Sequence, residues 1–185
     1  MTLYIIIGVL VLIVLIFIII NNQIIGKKNK VKEAFGSIDV YLKKRFDLIP
    51  NLISVVNKYA SHEKELLTTM TKLRSNIDTS NSTSEMIDIS NQLTSMLSGL
   101  NVTVENYPDL KADSQFLNLQ HNLTDTEEQI SAARRSYNAA VTTYNDKIQM
   151  FPASLVAGIR GDKSEIILET ISEEKENINV DEMLK

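Results

Sequence analysis

Alternate steps of four and three residues from Val31 land on Val31, Phe35, Ile38, Leu42, Arg45, Ile49, Leu52, Val56, Tyr59, Glu63, Leu66, Met70, Leu73 and Ile77. Twelve of these fourteen positions are apolar, and Arg45 and Glu63 are the exceptions. An average spacing of about 3.5 residues, held over many turns, is the signature of a helix with one buried stripe. Neither a strand nor a loop produces it. A core-facing stripe of an ordinary bundle and the seam of a coiled coil both need this pattern. The stripe keeps phase through LKKRFDLIPNL, residues 42–52, although Pro50 lies inside it. A reversal there would call for glycine or a polar turn cluster, and neither is present. Asp47 can cap a fresh helix whose first turn holds Pro50. The expectation is a kink or tight break at Arg45–Ile49 with helix on both sides, covering 26–78. Arg45, Asp47, Pro50 and Asn51 form the motif at that joint.

Two further amphipathic patterns follow. DTSNSTSE reads as a loop, and Met86, Ile89, Leu93, Met96, Leu97, Leu100 and Val104 then line one face of a helix over 84–106. Tyr107-Pro108 ends it. Phe116, Leu123, Ile130, Tyr137, Tyr144 and Phe151 recur every seven residues, and Leu119, Ala133, Ala140 and Ile148 widen the stripe of a helix over 113–151. Amphipathic helices must bury these stripes against one another, and short connections make neighbours antiparallel. The fold class is therefore all-α: a transmembrane helix near the N-terminus, then an elongated antiparallel up-and-down bundle of three to four long helices. SLVAGIRG reads as a surface crossing with glycine breaks. SEIILETISEEKENINV offers one short helix, and the chain from about Glu173 reads as mobile and acidic.

Leu3–Ile20 is an eighteen-residue run, LYIIIGVLVLIVLIFIII, with no charge. As a helix it spans about 27 Å, close to the ~30 Å hydrocarbon core of a bilayer. A cleaved leader would show a basic start, a shorter apolar run and a small-residue cleavage site, none of which is seen. The domain plan is an anchor over 1–25, a bundle over 26–158 and a tail over 159–185. Lys27, Lys28, Lys30 and Lys32 follow the span and no Lys or Arg precedes it. The positive-inside rule then places the N-terminus outside and the helical domain in the cytoplasm, with these lysines beside anionic headgroups. Lys27–Arg45 holds seven basic and two acidic residues, whereas Glu165–Lys185 holds seven acidic and two basic. The overall charge is −4. With the basic block abutting the membrane, nucleic acid is not an expected partner.

Chemistry is sparse. The chain has no cysteine, which excludes disulfides and thiolate sites. It has no metal-protease, phosphate-loop or nucleophile-elbow motif. His62 and His121 are the two histidines, and His121 with Asp125 is short of the three or four ligands a metal needs. No cofactor, metal or catalytic residue is expected, and the chain does not read as an enzyme. The polar departures from the stripes are more informative. Arg45 can reach Glu127 or Glu128, and Asp47 or Glu63 can reach Arg134 or Arg135. Such pairs would fix helix register more than they would stabilise.

The runs NNQIIGKKNKVKEAFGSIDVYLKKRFDLIPNLISVVNKYASHEKELL and YPDLKADSQFLNLQHNLTDTEEQISAARRSYNAAVTTYNDKIQMFPASLVAG resemble the two signatures of the LemA family. Together they cover most of residues 21–158. The resemblance implies a bacterial single-pass membrane protein with an antiparallel helical bundle, and it carries over no catalytic residue. It also implies links to envelope functions, to magnetosome membranes and to membrane metalloproteases. Ser136 stands where the family often has an aromatic, and Ile166, Ile167 and Leu168 stand where it has an aromatic pair. The functional expectation is a scaffold of the cell membrane that organises or shapes the bilayer, self-associates or binds a protein partner. The alternatives are a signalling adaptor bent at Pro50 and an accessory subunit of a membrane metalloprotease.

Overall fold

The computed structural model describes residues 1–60, 64–79 and 83–168. Helix α1 runs Thr2–Tyr59, α2 Lys64–Thr79, α3 Thr83–Val104, α4 Pro108–Lys111, α5 Ser114–Gln149 and α6 Ala153–Arg160. No strand occurs among the described residues.

α1 passes through Pro50 without a break. Proline there removes the bond to the Phe46 carbonyl, at a cost of about 3 kcal/mol. Ile49 and Leu52, both fully buried, flank it. Each contributes about 1.5–3 kcal/mol by burial, enough to hold the helix together. The tight break expected as the alternative to a kink at Arg45–Ile49, with Asp47 capping a fresh helix, is not seen; the helical run expected over 26–78 is instead divided later, α1 ending at Tyr59 and α2 starting at Lys64. The stripe keeps phase across that gap and so hides it. Ser61 followed by Glu63 and Glu65 is the helix-start signal that the periodicity overrode.

The chain forms two compact units, residues 1–37 with 132–168 and residues 38–131, with α1 and α5 contributing to both. In the first, Ile24 and Val31 of α1, Tyr137, Val141, Tyr144 and Ile148 of α5 and Val156 of α6 are all buried. Phe35 packs its ring on Tyr137, 5.5 Å between centroids, and Lys28 lies over the Tyr144 ring. One heptad forward on α1 is thus one heptad back on α5, an antiparallel pairing. Toward the N-terminus the character of α1 changes. Leu3–Ile19 expose their apolar side chains, and burial begins only at Ile20. This is the one helix among the described residues long and apolar enough to cross a membrane, which is compatible with a single-pass membrane protein.

In the second unit, Leu52, Val56 and Ala60 of α1 form a core with Met70 of α2, Leu100 and Val104 of α3, Leu110 of α4, and Phe116 and Leu123 of α5. Asp113 starts α5: its Oδ1 accepts from the backbone N–H of Gln115 and Phe116 at 2.8 and 3.0 Å. Its Oδ2 accepts from the Tyr59 hydroxyl at 2.7 Å, tying α1 to that helix start. Pro108 opens α4 at its first turn, where the missing N–H costs nothing, after α3 has ended at Val104.

SLVAGIRG forms helix α6 rather than an irregular crossing. Its stop signal is Gly161 at φ +70, a conformation that favours glycine. There the Asp162 N–H reaches the Ala157 carbonyl at 3.0 Å and the Gly161 N–H the Gly158 carbonyl at 3.2 Å. Residues 162–168 are not helical; the rest of SEIILETISEEKENINV, over which a short helix is expected, lies outside the described residues. The expected mobile end from Glu173 lies outside the described residues.

Candidate functional site

Three polar arrangements stand out, each within one unit. The first is a hub around Arg45. The heptad phase of α1 aims this side chain inward, and it is 2% exposed. Nη1 donates to the Ser90 hydroxyl at 2.6 Å and to the Ser90 carbonyl at 3.1 Å, and Nη2 donates to the Thr94 hydroxyl at 2.9 Å. Glu127 Oε2 sits 2.6 Å from Nη1. Yet neither that oxygen nor Arg45 Nε has an aligned hydrogen bond, so the pair is held by charge rather than by directed bonding. Burial pushes the guanidinium pKa down, and Glu127 pulls it back only in part. The hub floors a cleft of about 500 Å³ whose walls include Leu97, Leu100, Leu117 and His121. The arrangement suits register-fixing between α1, α3 and α5. It brings no nucleophile next to a base.

The second arrangement surrounds Asp162, held at the end of α6 by the left-handed Gly161. Its carboxylate is 4% exposed and receives Lys28 Nζ at 3.1 Å and Arg160 Nε at 2.6 Å. Arg160 also donates through Nη1 to Asn21 Oδ1. Burial favours the neutral acid, but the two cations outweigh it and hold the carboxyl below the usual aspartate range. The same contact raises the Lys28 pKa, against the opposing effect of burial. Asn21 and Lys28 bracket the point where α1 stops being exposed and apolar. They therefore set α6 level with the end of the apolar stretch. On α6 Leu155 and Ile159 are exposed, as is Phe151 just before that helix, at 81%.

The third arrangement is a ladder on α5. Asn138 Nδ2 donates to the Leu168 carbonyl and its Oδ1 accepts the Leu168 N–H, both at 2.9 Å. Asn145 makes the same pair of bonds with Glu165, again at 2.9 Å each. The Tyr137 and Tyr144 hydroxyls donate to the carbonyls of Ile166 and Lys163 at 3.1 and 3.2 Å.

The structure brings together Arg45 and Glu127 and leaves Glu128 exposed. Asp47, Asn51 and Arg135 are exposed, and Pro50 and Arg134 are half-buried. Glu63 and His62 lie outside the described residues. Of the basic block, Lys30 and Lys32 are exposed and Lys27 is half-buried. Lys28 differs from the sequence reading: its charge goes to Asp162, because the chain returns to α1 after α6. His121 is exposed and pairs with Asp125 at 3.0 Å, and no group of three or more metal-ligating side chains occurs among the described residues. Sequence reasoning missed Ser90, Thr94, Asp162 and the two asparagines. For Ser90 the available signal was its place between Ile89 and Leu93. For the asparagines it was the repeat Tyr137-Asn138, Tyr144-Asn145 at seven-residue spacing.

A model of the LemA family matches residues 34–181. Protein LemA of Metamycoplasma hominis is 29% identical over 140 residues, 74% of this chain and 63% of that protein. The magnetosome proteins MamQ 1 and MamQ 2 of Paramagnetospirillum magneticum are each 34% identical over 67 residues, 36% of this chain and 25% of theirs. The matched stretch thus spans less than two thirds of the length of each of these relatives.

Proposed function

The chain belongs to the LemA family, and on that footing we propose that it is a non-catalytic, membrane-anchored scaffold that holds a helical domain at the cytoplasmic face of the cell membrane. The observation that carries this reading is the change of character along α1. Its exposed apolar stretch, Leu3–Ile19, continues without a helix break into side chains buried from Ile20 onward. Lipid is the solvent such a stretch requires. The lysines that follow it, Lys27, Lys30 and Lys32, orient the span with the domain inside.

α6 supplies a second membrane contact. Leu155 and Ile159 of α6, and Phe151 just before it, are exposed, and Arg160 of α6 donates to Asn21 at the end of the apolar stretch. Sunk into the interface, each apolar side chain gains about 1.5–3 kcal/mol. A scaffold with two such contacts holds its domain at a defined height above the lipid, where it can order membrane partners or copies of itself. The name magnetosome protein, carried by two relatives, fits a role at a membrane.

The test uses the absence of cysteine. Single Thr2→Cys and Ser54→Cys variants are labelled with a membrane-impermeant thiol reagent in intact and lysed cells, and Leu155→Cys carries a polarity-sensitive fluorophore in liposomes. The expected result is Thr2 labelled in intact cells, Ser54 only after lysis, and blue-shifted emission at Leu155. Ser54 labelled in intact cells overturns the orientation. Release of the full chain by alkaline carbonate overturns the anchor. A strictly monomeric protein that yields no crosslinked partner in cells and leaves liposomes unchanged overturns the scaffold.

A further inference from the structure

The ladder on α5 rests on a match between two periods. One heptad of helix rises about 10.5 Å, and three residues of extended chain rise about 10 Å. Asn138 and Asn145 are one heptad apart, and the residues they hold, Leu168 and Glu165, are three apart. Tyr137 and Tyr144 repeat the relation with the carbonyls of Ile166 and Lys163. Each Tyr-Asn step therefore engages one three-residue step of the opposing chain. Each asparagine offers one donor and one acceptor to a single residue's N–H and C=O, the full main-chain polar complement of that residue. All six bonds go to backbone. The side chains between them are not gripped: Ile166 is 82% and Ile167 51% exposed.

The rungs are built rather than incidental. Tyr144 is fully buried and Tyr137 nearly so, and Phe35 packs on the Tyr137 ring. Lys28 lies over the Tyr144 ring, so both rings are held by α1 side chains that are not part of the strand. The segment they hold follows Gly161, whose left-handed turn and the Asp162 ion pairs deliver the chain onto α5.

We infer that the Tyr137-Asn138 and Tyr144-Asn145 steps form a binding site for extended polypeptide, read through its backbone, which residues 163–168 occupy as a releasable strap. A strap whose hydrogen bonds to α5 all run through its main chain, with Ile166 and Ile167 in solvent, is exchangeable for another extended segment of different sequence. Main-chain bonds give such sites their affinity, and side-chain pockets give sequence preference. The ligand class is an extended peptide segment with free N–H groups three residues apart. This inference is independent of the membrane orientation proposed above.

The first measurement is amide hydrogen exchange on the full chain in detergent micelles. Asn138→Ala should speed exchange at Leu168 and Asn145→Ala at Glu165, each by at least about tenfold. Alanine is the better helix former, so α5 itself is not weakened. Unchanged helicity and unchanged exchange at α3 amides confirm that the variants fold. Ile166→Ser with Ile167→Ser should leave both amides protected. The second measurement uses the full chain carrying Glu165→Pro and Leu168→Pro, which lacks the two strap N–H groups but keeps the ladder. It should bind a fluorescent hexapeptide of sequence KSEIIL and a shuffled hexapeptide within about threefold of each other. The wild-type chain, with its strap in place, should bind both at least about tenfold more weakly. A hexapeptide N-methylated at the positions of Glu165 and Leu168 should not bind. Unaltered exchange in both asparagine variants overturns the ladder. Failure of the strap-released chain to bind either peptide, or binding of the N-methylated peptide equal to the plain one, overturns the backbone-reading site.

Discussion

The Arg45 hub and the Asp162 cluster are mirror images in charge. At the hub a cation is buried and its carboxylate partner, Glu127, is 28% exposed. At the cluster a carboxylate is buried and its cations, Lys28 and Arg160, are 35% and 26% exposed. The buried member of each is stabilised differently. Arg45 sits among neutral hydroxyls and a backbone carbonyl with one counterion that is close but poorly aligned. Asp162 has two counterions, both hydrogen-bonded. The hub is therefore a specificity device, in which polar groups inside an apolar stripe accept only one alignment of α1, α3 and α5. The cluster is a clasp, in which opposite charges pull a returning chain onto α1.

This contrast predicts a ranking. Arg45→Ala should have the largest effect, about 3–5 kcal/mol, because it empties a buried volume and leaves Glu127 without its counterion. Arg45→Met with Glu127→Leu should recover most of that loss, since a well-packed apolar pair costs no desolvation. The full chain in mild detergent should show both effects in its melting temperature. If the double variant is no more stable than Arg45→Ala, the hub is a net source of stability and its description as a specificity device fails.

Asp162→Asn should come next, at about 2 kcal/mol, the range of hydrogen bonds to a charged group. It should also change the pH profile. The Asp162 pKa is lowered on folding, so its contribution is fully present above the ordinary aspartate pKa of about 4 and is lost as pH falls through the depressed value. The Lys28 pKa is raised, so its contribution is present below about 10.5 and is lost as pH rises through the raised value. The wild-type chain should show a stability plateau between these limits. In Asp162→Asn both limbs should flatten, which melting curves at pH 3, 7 and 11 would reveal.

Ser90→Ala should cost about 1 kcal/mol, because Nη1 keeps the Ser90 carbonyl and Glu127 when the hydroxyl is lost. Thr94→Val should match it, as it removes the partner of Nη2. A loss above 3 kcal/mol at either position would show that the hydroxyls, rather than Glu127, carry the Arg45 charge.

The two regions also differ in how far they were legible. The hub could be read because it lies on a periodic stripe. Arg45 falls on a position the heptad reserves for an apolar residue, and Glu127 belongs to the facing helix. Periodicity also locates Ile49, Leu52 and Val56, all fully buried, and keeps phase through Pro50, where the tight break that the proline suggested is not seen. Its strength was its weakness at Tyr59, where an unbroken phase hid the end of a helix. The clasp has no periodic signal. Lys28 and Asp162 are 134 residues apart, and their meeting depends on the turn at Gly161 that returns the chain to α1. Gly158 and Gly161 were read as breaks in a surface crossing. Only Gly161 acts as a stop, and the residues before it are helical. The ladder was half legible. The repeat of Tyr137 and Tyr144 was read as core, which is right for their rings and silent about their hydroxyls. The neighbouring asparagines gave no sign of their partners, because backbone recognition leaves no mark in the side chains of the strand being held.

The smallest effect is expected at His121, which lines the cleft above the hub and pairs with Asp125. The imidazole is 75% exposed and the carboxylate 46%, so solvent screens both charges. The order along the helix is also unfavourable. A pair four residues apart is stronger with the acid on the N-terminal side, and here the base comes first. His121→Ala should therefore change stability by less than about 0.3 kcal/mol between pH 5 and 8. That bound separates a residue at the rim of the cleft from one at its floor. If His121→Ala instead cost more than about 1 kcal/mol and lost that cost when combined with Arg45→Met, the two side chains would be coupled. The cleft would then have to be treated as one polar site reaching from the buried guanidinium to the imidazole.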